Sequence, residues 1–233
     1  MSEASKKEQD KIPQSIGIIM DGNRRWARAR GLPTLEGHRR GYQKMKEVTR
    51  WAKEAGVKYL TLFAFSTENW NRKEEEVSYL MDLFKEALLE GVKELAEEDA
   101  RVKIAGQKER FSKELQELMQ KVEEDTEDND AITVTLCLSY GGRAEIIDGV
   151  NRAIEKGEKV TEESFEALLW TSHIADPDII IRTSGEERVS GFLTWKAVYS
   201  EFFFIKPHWP EFSKEDFEGI LKEYAERDRR HGK

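Results

Sequence analysis

The chain has 233 residues and a mass of 27.1 kDa, with 46 acidic against 38 basic residues and a net charge of −8. That length suits one ordinary domain, and the acidic balance disfavours a general nucleic-acid or anionic-membrane binder while leaving room for a local basic patch. Charged residues are 36% of the chain, against an average of about 25%; because the apolar residues are clustered and periodic, this indicates a heavily solvated surface rather than disorder. The single Cys137 excludes an intrachain disulfide and fits a reducing compartment.

The opening stretch MSEASKKEQDK is polar and has no apolar core, so residues 1–11 read as a flexible lead-in rather than a secretory signal. No apolar run nears the ~18 residues needed to cross a bilayer; the expectation is a soluble, cytoplasmic protein. Strand-like apolar runs follow at Ser15–Met20, Val57–Phe65, Val102–Ala105, Ile132–Ser139, Asp178–Arg182 and Glu201–Ile205. Amphipathic stretches separate them, at Glu36–Glu54, Glu74–Glu98, Glu109–Glu124, Arg143–Glu155 and Glu162–Trp170, with a last one from Lys214 to about Arg229. Strands joined by helices of this length need crossover connections. The spacing therefore predicts one α/β domain over residues 12–233, with a mostly parallel sheet of about six strands flanked by helices. In such sheets ligands sit beyond the carboxyl ends of the strands.

After the first strand comes Asp21-Gly22-Asn23-Arg24-Arg25-Trp26, and six arginines with one acid lie between Arg24 and Arg40. An all-arginine excess favours bidentate recognition of phosphate or carboxylate, with Arg25 beside the strand end the main candidate. Arg28, Arg30, Arg39 and Arg40 read equally as a solvated helix face. A carboxylate among phosphate-binding groups repels phosphate unless a divalent cation lies between, and Mg²⁺ is held by one or two carboxylates plus substrate phosphates. Asp21 is thus either a metal ligand or the N-cap of a following helix.

The second strand runs into Ser66-Thr67-Glu68-Asn69-Trp70-Asn71-Arg72, whose hydroxyls, amides and Arg72 suit a phosphate and whose Trp70 could cover an apolar ligand. The acids Glu74, Glu75 and Glu76 complement the dipole of the next helix. On that helix Val77, Leu80, Met81, Phe84 and Leu88 share a face, as core or as the wall of an apolar channel. Arg182, Arg188 and Ser190 make a second phosphate-suited set after the fifth strand, and Glu201 is either a second metal carboxylate or an edge-strand acid. There is no G-x-x-x-x-G-K-[ST], G-x-G-x-x-G or G-x-S-x-G motif, and no Cys/His metal spacing.

Taken together, IGIIMDGNRRWA, GH at 37–38, LFAFSTENWNR, SYGGR at 139–143, IIIRTSGEERVSGFLTW, YSEFFF, HWPEF and RRHGK resemble the cis-prenyltransferase family, in the family's order and from Ile12 onward. The resemblance implies Mg²⁺-dependent, repeated condensation of isopentenyl diphosphate onto an allylic diphosphate, farnesyl diphosphate being the expected starter, in a fold with an apolar tunnel. By similarity Asp21 ligands the metal and helps the allylic diphosphate leave, while Gly22, Asn23, Arg24, Arg25, Trp26 and His38 hold it. Ser66, Thr67, Glu68, Trp70 and Arg72 would belong to a flexible substrate loop in which Asn69 is catalytic, as a positioning amide rather than a base. Arg182, Arg188, Val189 and Ser190 would bind isopentenyl diphosphate and Glu201 would be the second metal ligand. Arg230 and Gly232 would reach a neighbouring subunit in a homodimer, with transient membrane contact as the lipid product leaves. Thr34, Lys196, Gly191 and Arg24 depart from the residues frequent in the family, with Arg30 or Arg39 as substitutes for an arginine at Thr34. The competing reading is a non-catalytic partner subunit; an RNA-binding role is disfavoured by the net charge.

Overall fold

The computed structural model describes residues 12–157 and 159–227. Six strands form one sheet: β1 (Ser15–Ile19), β2 (Tyr59–Ser66), β3 (Ala100–Ala105), β4 (Ile132–Tyr140), β5 (Ile179–Arg182) and β6 (Glu201–Phe204). Their spatial order is β3-β4-β2-β1-β5-β6 and every pairing is parallel. Among the described residues, seven α-helices accompany them: α1 (Asn23–Ala29), α2 (Thr34–Glu54), α3 (Glu74–Glu97), α4 (Lys113–Asp125), α5 (Gly142–Lys156), α6 (Glu162–Glu166) and α7 (Lys214–Glu226).

The strands are apolar on both faces because both faces are covered. Ile16, Ile18, Leu60, Leu62, Val134, Leu136, Ile179 and Ile181 face one layer, against Met45 and Val48 of α2, Leu80 and Leu88 of α3, Met119 of α4 and Phe217 of α7. The alternate residues Ile19, Cys137 and Ile180 face the other layer with Phe192 and Leu193, and Tyr140, at the irregular end of β4, joins them. The β2–β4 register shifts twice, between Phe63 and Phe65 and between Phe65 and Ser66, where the strand runs into the candidate site.

The differences from the predicted elements have local causes. Arg24–Arg28 belong to a separate short helix, α1. The stretch expected to be helical from Glu109 instead begins with a 3₁₀ turn, Lys108–Arg110, and the helix starts at Lys113 because the Ser112 side chain accepts a hydrogen bond from the Leu115 amide. The expected Glu162–Trp170 helix stops at Glu166. Residues 1–11, Arg230 and Gly232 lie outside the described residues.

Candidate active site

β1 and β5 are neighbours although about 160 residues of chain separate them, and their carboxyl ends coincide: Ile19 is level with Arg182. This pairing brings the first and last polar motifs together. Arg182, only 4% exposed, donates through Nη2 to Asp21 Oδ2 at 2.9 Å and through Nη1 to Ser190 Oγ at 2.8 Å. Arg25 Nη2 stands 3.1 Å from the other Asp21 oxygen. Burial alone would raise the Asp21 pKa, but the Arg182 hydrogen bond and the Arg25 charge outweigh it and hold the carboxyl below its usual range. The N-cap reading fails: Gly22, in a left-handed conformation, caps α1 without any side-chain hydrogen bond. Asp21 is therefore an ionised carboxylate in an arginine setting.

Two polar clefts meet at this carboxylate. One, of about 380 Å³, is lined by Asp21, Gly22, Asn23, Arg24, Arg25, Arg28, His38 and Arg72. The other, of about 320 Å³, is lined by Asp21, Asn23, His38, Ser66, Asn69, Arg72, Arg182, Arg188 and Ser190 among others. Below them an apolar cavity of about 80 Å³ lies between α2, α3 and the sheet, walled by Met45, Leu80, Leu83, Phe84, Ala87 and Leu88. Met20, Asn23 and His38 line all three spaces, so a charged head group and an apolar tail have one continuous path. Both sequence readings of the α3 stripe hold in part: Leu80, Phe84 and Leu88 line the cavity, whereas Val77 and Met81 do not.

The other arginines divide. Arg28 is exposed and lines a cleft. Arg30 pairs with Glu211 and lies over the Trp26 ring at 4.7 Å, and Arg39 pairs with Glu86. These two are solvated-face residues, and neither lines the clefts described above. Trp26 is half-buried beneath Arg30 and lines none of these spaces.

The loop after β2 is a 3₁₀ turn, Thr67–Asn71. The Ser66 amide donates to Asn69 Oδ1 at 3.1 Å, which fixes the Asn69 amide at the cleft. Trp70 lines none of these spaces. Its Nε1 donates to Ser139 Oγ at 2.9 Å, and its ring packs edge-on against Phe65 and near Phe111, so it anchors the turn to the sheet. Thr67 and Glu68 line a neighbouring cleft with Gly141–Ala144, Ser190 and Gly191.

Arg188 is exposed and pairs with Glu186, which also pairs with Arg25 at 2.7 Å. Val189 packs on the second core layer rather than in the cleft. Lys196 is buried and pairs with Glu166 and Asp176, away from the site.

Glu201 lies at the opposite end of its strand from the clefts. It is level with Ile179 and therefore with Ile16, near the amino ends of the strands. Three residues of strand, about 10 Å, separate that level from Ile19, before the turn to Asp21 is added. Its carboxylate is paired with Arg227 at 2.5 Å. Within one chain this register sets Glu201 apart from the Asp21 carboxylate. Among the described residues no group of three or more His, Cys, Asp or Glu could hold a metal.

Glu76 is the residue that sequence reasoning missed. Its Oε1 lies 3.1 Å from His38 Nε2, 3.1 Å from Arg72 Nη1 and 3.7 Å from Arg24 Nε. Only its place in an acidic run at a helix start was visible in the sequence.

Known proteins resemble this chain over most of its length. The prenyltransferase (undecaprenyl diphosphate synthase) family model matches residues 19–232. An isoprenyl transferase of Thermotoga maritima is 46% identical over 95% of this chain and 97% of its own length, and one of Aquifex pyrophilus is 43% identical over 96% and 97%. Lavandulyl diphosphate synthase from Lavandula x intermedia, solved in complex with dimethylallyl diphosphate, superposes with a TM-score of 0.92 at 32% identity, covering 96% of this chain and all of its own. A "probable undecaprenyl diphosphate synthase" from Campylobacter jejuni superposes with a TM-score of 0.81 at 32% identity, covering 95% of this chain and 99% of its own. On the arginine-lined carboxylate, the cavity below it and these likenesses together, the chain belongs to the isoprenyl transferase family and is a prenyl-transferring enzyme.

Proposed function

We propose that the chain is a cis-prenyltransferase that condenses isopentenyl diphosphate repeatedly onto an allylic diphosphate, with farnesyl diphosphate as starter, to make a cis-polyprenyl diphosphate precursor of a lipid carrier. One observation carries this reading: two arginine-lined clefts meet at Asp21 directly above an apolar cavity, sharing Met20, Asn23 and His38 with it. Two phosphorylated substrates and one growing tail need that combination. Arg24, Arg25, Arg28 and Arg72 receive the allylic diphosphate beside His38, and Arg182, Arg188 and Ser190 the isopentenyl diphosphate. The lavandulyl diphosphate synthase neighbour, solved with dimethylallyl diphosphate, supports the allylic class.

Magnesium fits the donor set. A lone ionised carboxylate among arginines lacks the ligands for an all-protein metal site, but it matches Mg²⁺ held mainly by substrate phosphates. Bound with substrate, the ion would neutralise charge developing on the departing diphosphate. The arginines aim further charge at the same place, and the apolar cavity keeps water from the cationic allyl group. Asn69 orients substrate: its Oδ1 already accepts from the Ser66 amide, and an amide is no base, so the released diphosphate takes the proton. The reading includes a cytoplasmic homodimer that touches membrane only as product leaves; among the described residues no helix is long and apolar enough to cross a membrane.

The test is transfer of radiolabel from isopentenyl diphosphate into butanol-extractable lipid, with farnesyl diphosphate and Mg²⁺. Label should move with the native chain, and neither with EDTA nor with Asp21→Ala. No transfer from farnesyl, geranyl or geranylgeranyl starters would overturn the reading.

A further inference from the structure

In sequence, Glu74-Glu75-Glu76 is a uniform acidic start to α3. In the fold the three part company. Glu74 and Glu75 are exposed, while the Glu76 side chain keeps 12% of its surface and lies among cations. One oxygen, Oε1, serves His38 of α2, Arg72 at the end of the 3₁₀ turn and Arg24 of α1. With Glu76 itself on α3, four separate segments are tied at a single atom. All three partners line the polar cleft; Glu76 stands behind them and outside its lining.

We propose that Glu76 is the positioning residue of the allylic-diphosphate cleft, holding Arg24, Arg72 and His38 from behind so that the remaining guanidinium donors of the two arginines converge on one phosphate group. The inference rests on the functional reading above and deepens it. A guanidinium has five N–H donors in a rigid fork, so an arginine that spends one on Glu76 keeps others for a ligand. Two guanidiniums packed this closely repel each other unless a shared counter-charge holds them. Glu76 supplies that charge: burial works against its ionisation, but the His38 hydrogen bond and the charges of Arg72 and Arg24 outweigh burial and keep its pKa below the usual range. His38 is fixed as well: burial lowers its pKa, so the neutral ring donates Nε2–H to Glu76 and keeps Nδ1 as an acceptor, which makes it a spacer between the two arginines rather than a phosphate donor. Glu76 touches no reacting atom in this scheme. It acts through its three partners.

A purely stabilising ion cluster would make the same contacts, so the test must read binding. The full chain and its Glu76→Gln variant are titrated calorimetrically with inorganic diphosphate, and steady-state constants are measured for both substrates. Glu76→Gln should weaken inorganic diphosphate binding about tenfold and raise the allylic KM by a similar factor. It should leave kcat within about threefold and the isopentenyl diphosphate KM unchanged. Should Glu76→Gln fail to fold, Glu76→Asp, which keeps the charge but loses a methylene of reach, is read by the same constants. Unchanged or tighter diphosphate binding, or equal rises in both KM values, would overturn the proposal. If the native chain transfers no prenyl group at all, the functional reading falls, while the calorimetric comparison still judges Glu76.

Discussion

At the residue scale, Asp21 is aimed through its backbone as much as through its side chain. Its carbonyl oxygen accepts from Thr183 Oγ1 at 2.6 Å, Ser184 Oγ at 3.1 Å and the Trp209 amide at 3.0 Å, so two distant loops grip the turn. Gly22 follows with φ of +107°, and a Cβ there would stand 2.0 Å from Ser184 Oγ; no other residue fits. A buried carboxylate, Glu145, behaves oppositely to the half-buried Asp21. It is 1% exposed and accepts from Tyr140 Oη, the Thr171 amide and Thr171 Oγ1, yet burial outweighs these bonds and raises its pKa. A raised carboxyl pKa means that the folded chain holds the proton more tightly than the unfolded chain. Its contribution to stability is therefore full below the unfolded value and declines as pH rises toward the folded one. Glu145→Gln removes this titration. Thermal melts from about pH 4.5 to about pH 8 should show the variant gaining on the native chain as pH rises. A variant that lost ground instead would show that the three hydrogen bonds dominate.

Between elements, the arginine helix depends on glycine. α1 crosses α2 so closely that a Cβ at Gly37 would lie 2.0 Å from the Asn23 carbonyl oxygen, and one at Gly41 would lie 2.4 Å from Asn23 Oδ1. That approach places His38 of α2 beside Arg24 of α1 and lets both reach Glu76. Gly37→Ala should cost at least ~1–3 kcal/mol by overpacking. It should also lower kcat/KM, since relief of the clash moves Asn23, Arg24 and Arg25. Gly219→Ala is the control: in α7 the added methyl meets nothing within 4 Å, so it should stabilise by roughly 0.5–1 kcal/mol and leave kinetics unchanged. Denaturant melts and initial rates on both variants decide the matter; equal effects would refute the close-packing account.

On the scale of the whole molecule, the charge is uneven. A chain of net charge −8 gathers Arg24, Arg25, Arg28, Arg72, Arg182 and Arg188 around one carboxylate, so its acidic exterior surrounds a basic mouth. Anionic substrates are drawn to that mouth by a field that salt screens over a Debye length of ~10 Å at 0.1 M. Raising the salt from about 0.05 M to about 0.5 M should increase both diphosphate KM values several-fold and change kcat much less. A salt-insensitive KM would mean that short-range hydrogen bonds alone select the substrate.

Much of this was legible before any fold was known. The six strands could be read because strands buried on both faces must be apolar at nearly every position, and the parallel sheet followed from the helices between them. Asp21, Arg25, Arg182 and Ser190 could be singled out because strand carboxyl ends are where such sheets bind ligands, and the resemblance of the motifs named the chemistry. Pairing was a different matter. Only the tertiary structure set β1 beside β5, which puts Arg182 on Asp21 and leaves Glu201 at the far end of β6 with Arg227. It also turned Trp70 inward onto Ser139 and drew Glu76 out of an ordinary acidic run. Local pattern determines which residues form an element and which face is buried. The partner of a side chain depends on how distant elements pack, and that is decided by contacts no short stretch of chain contains.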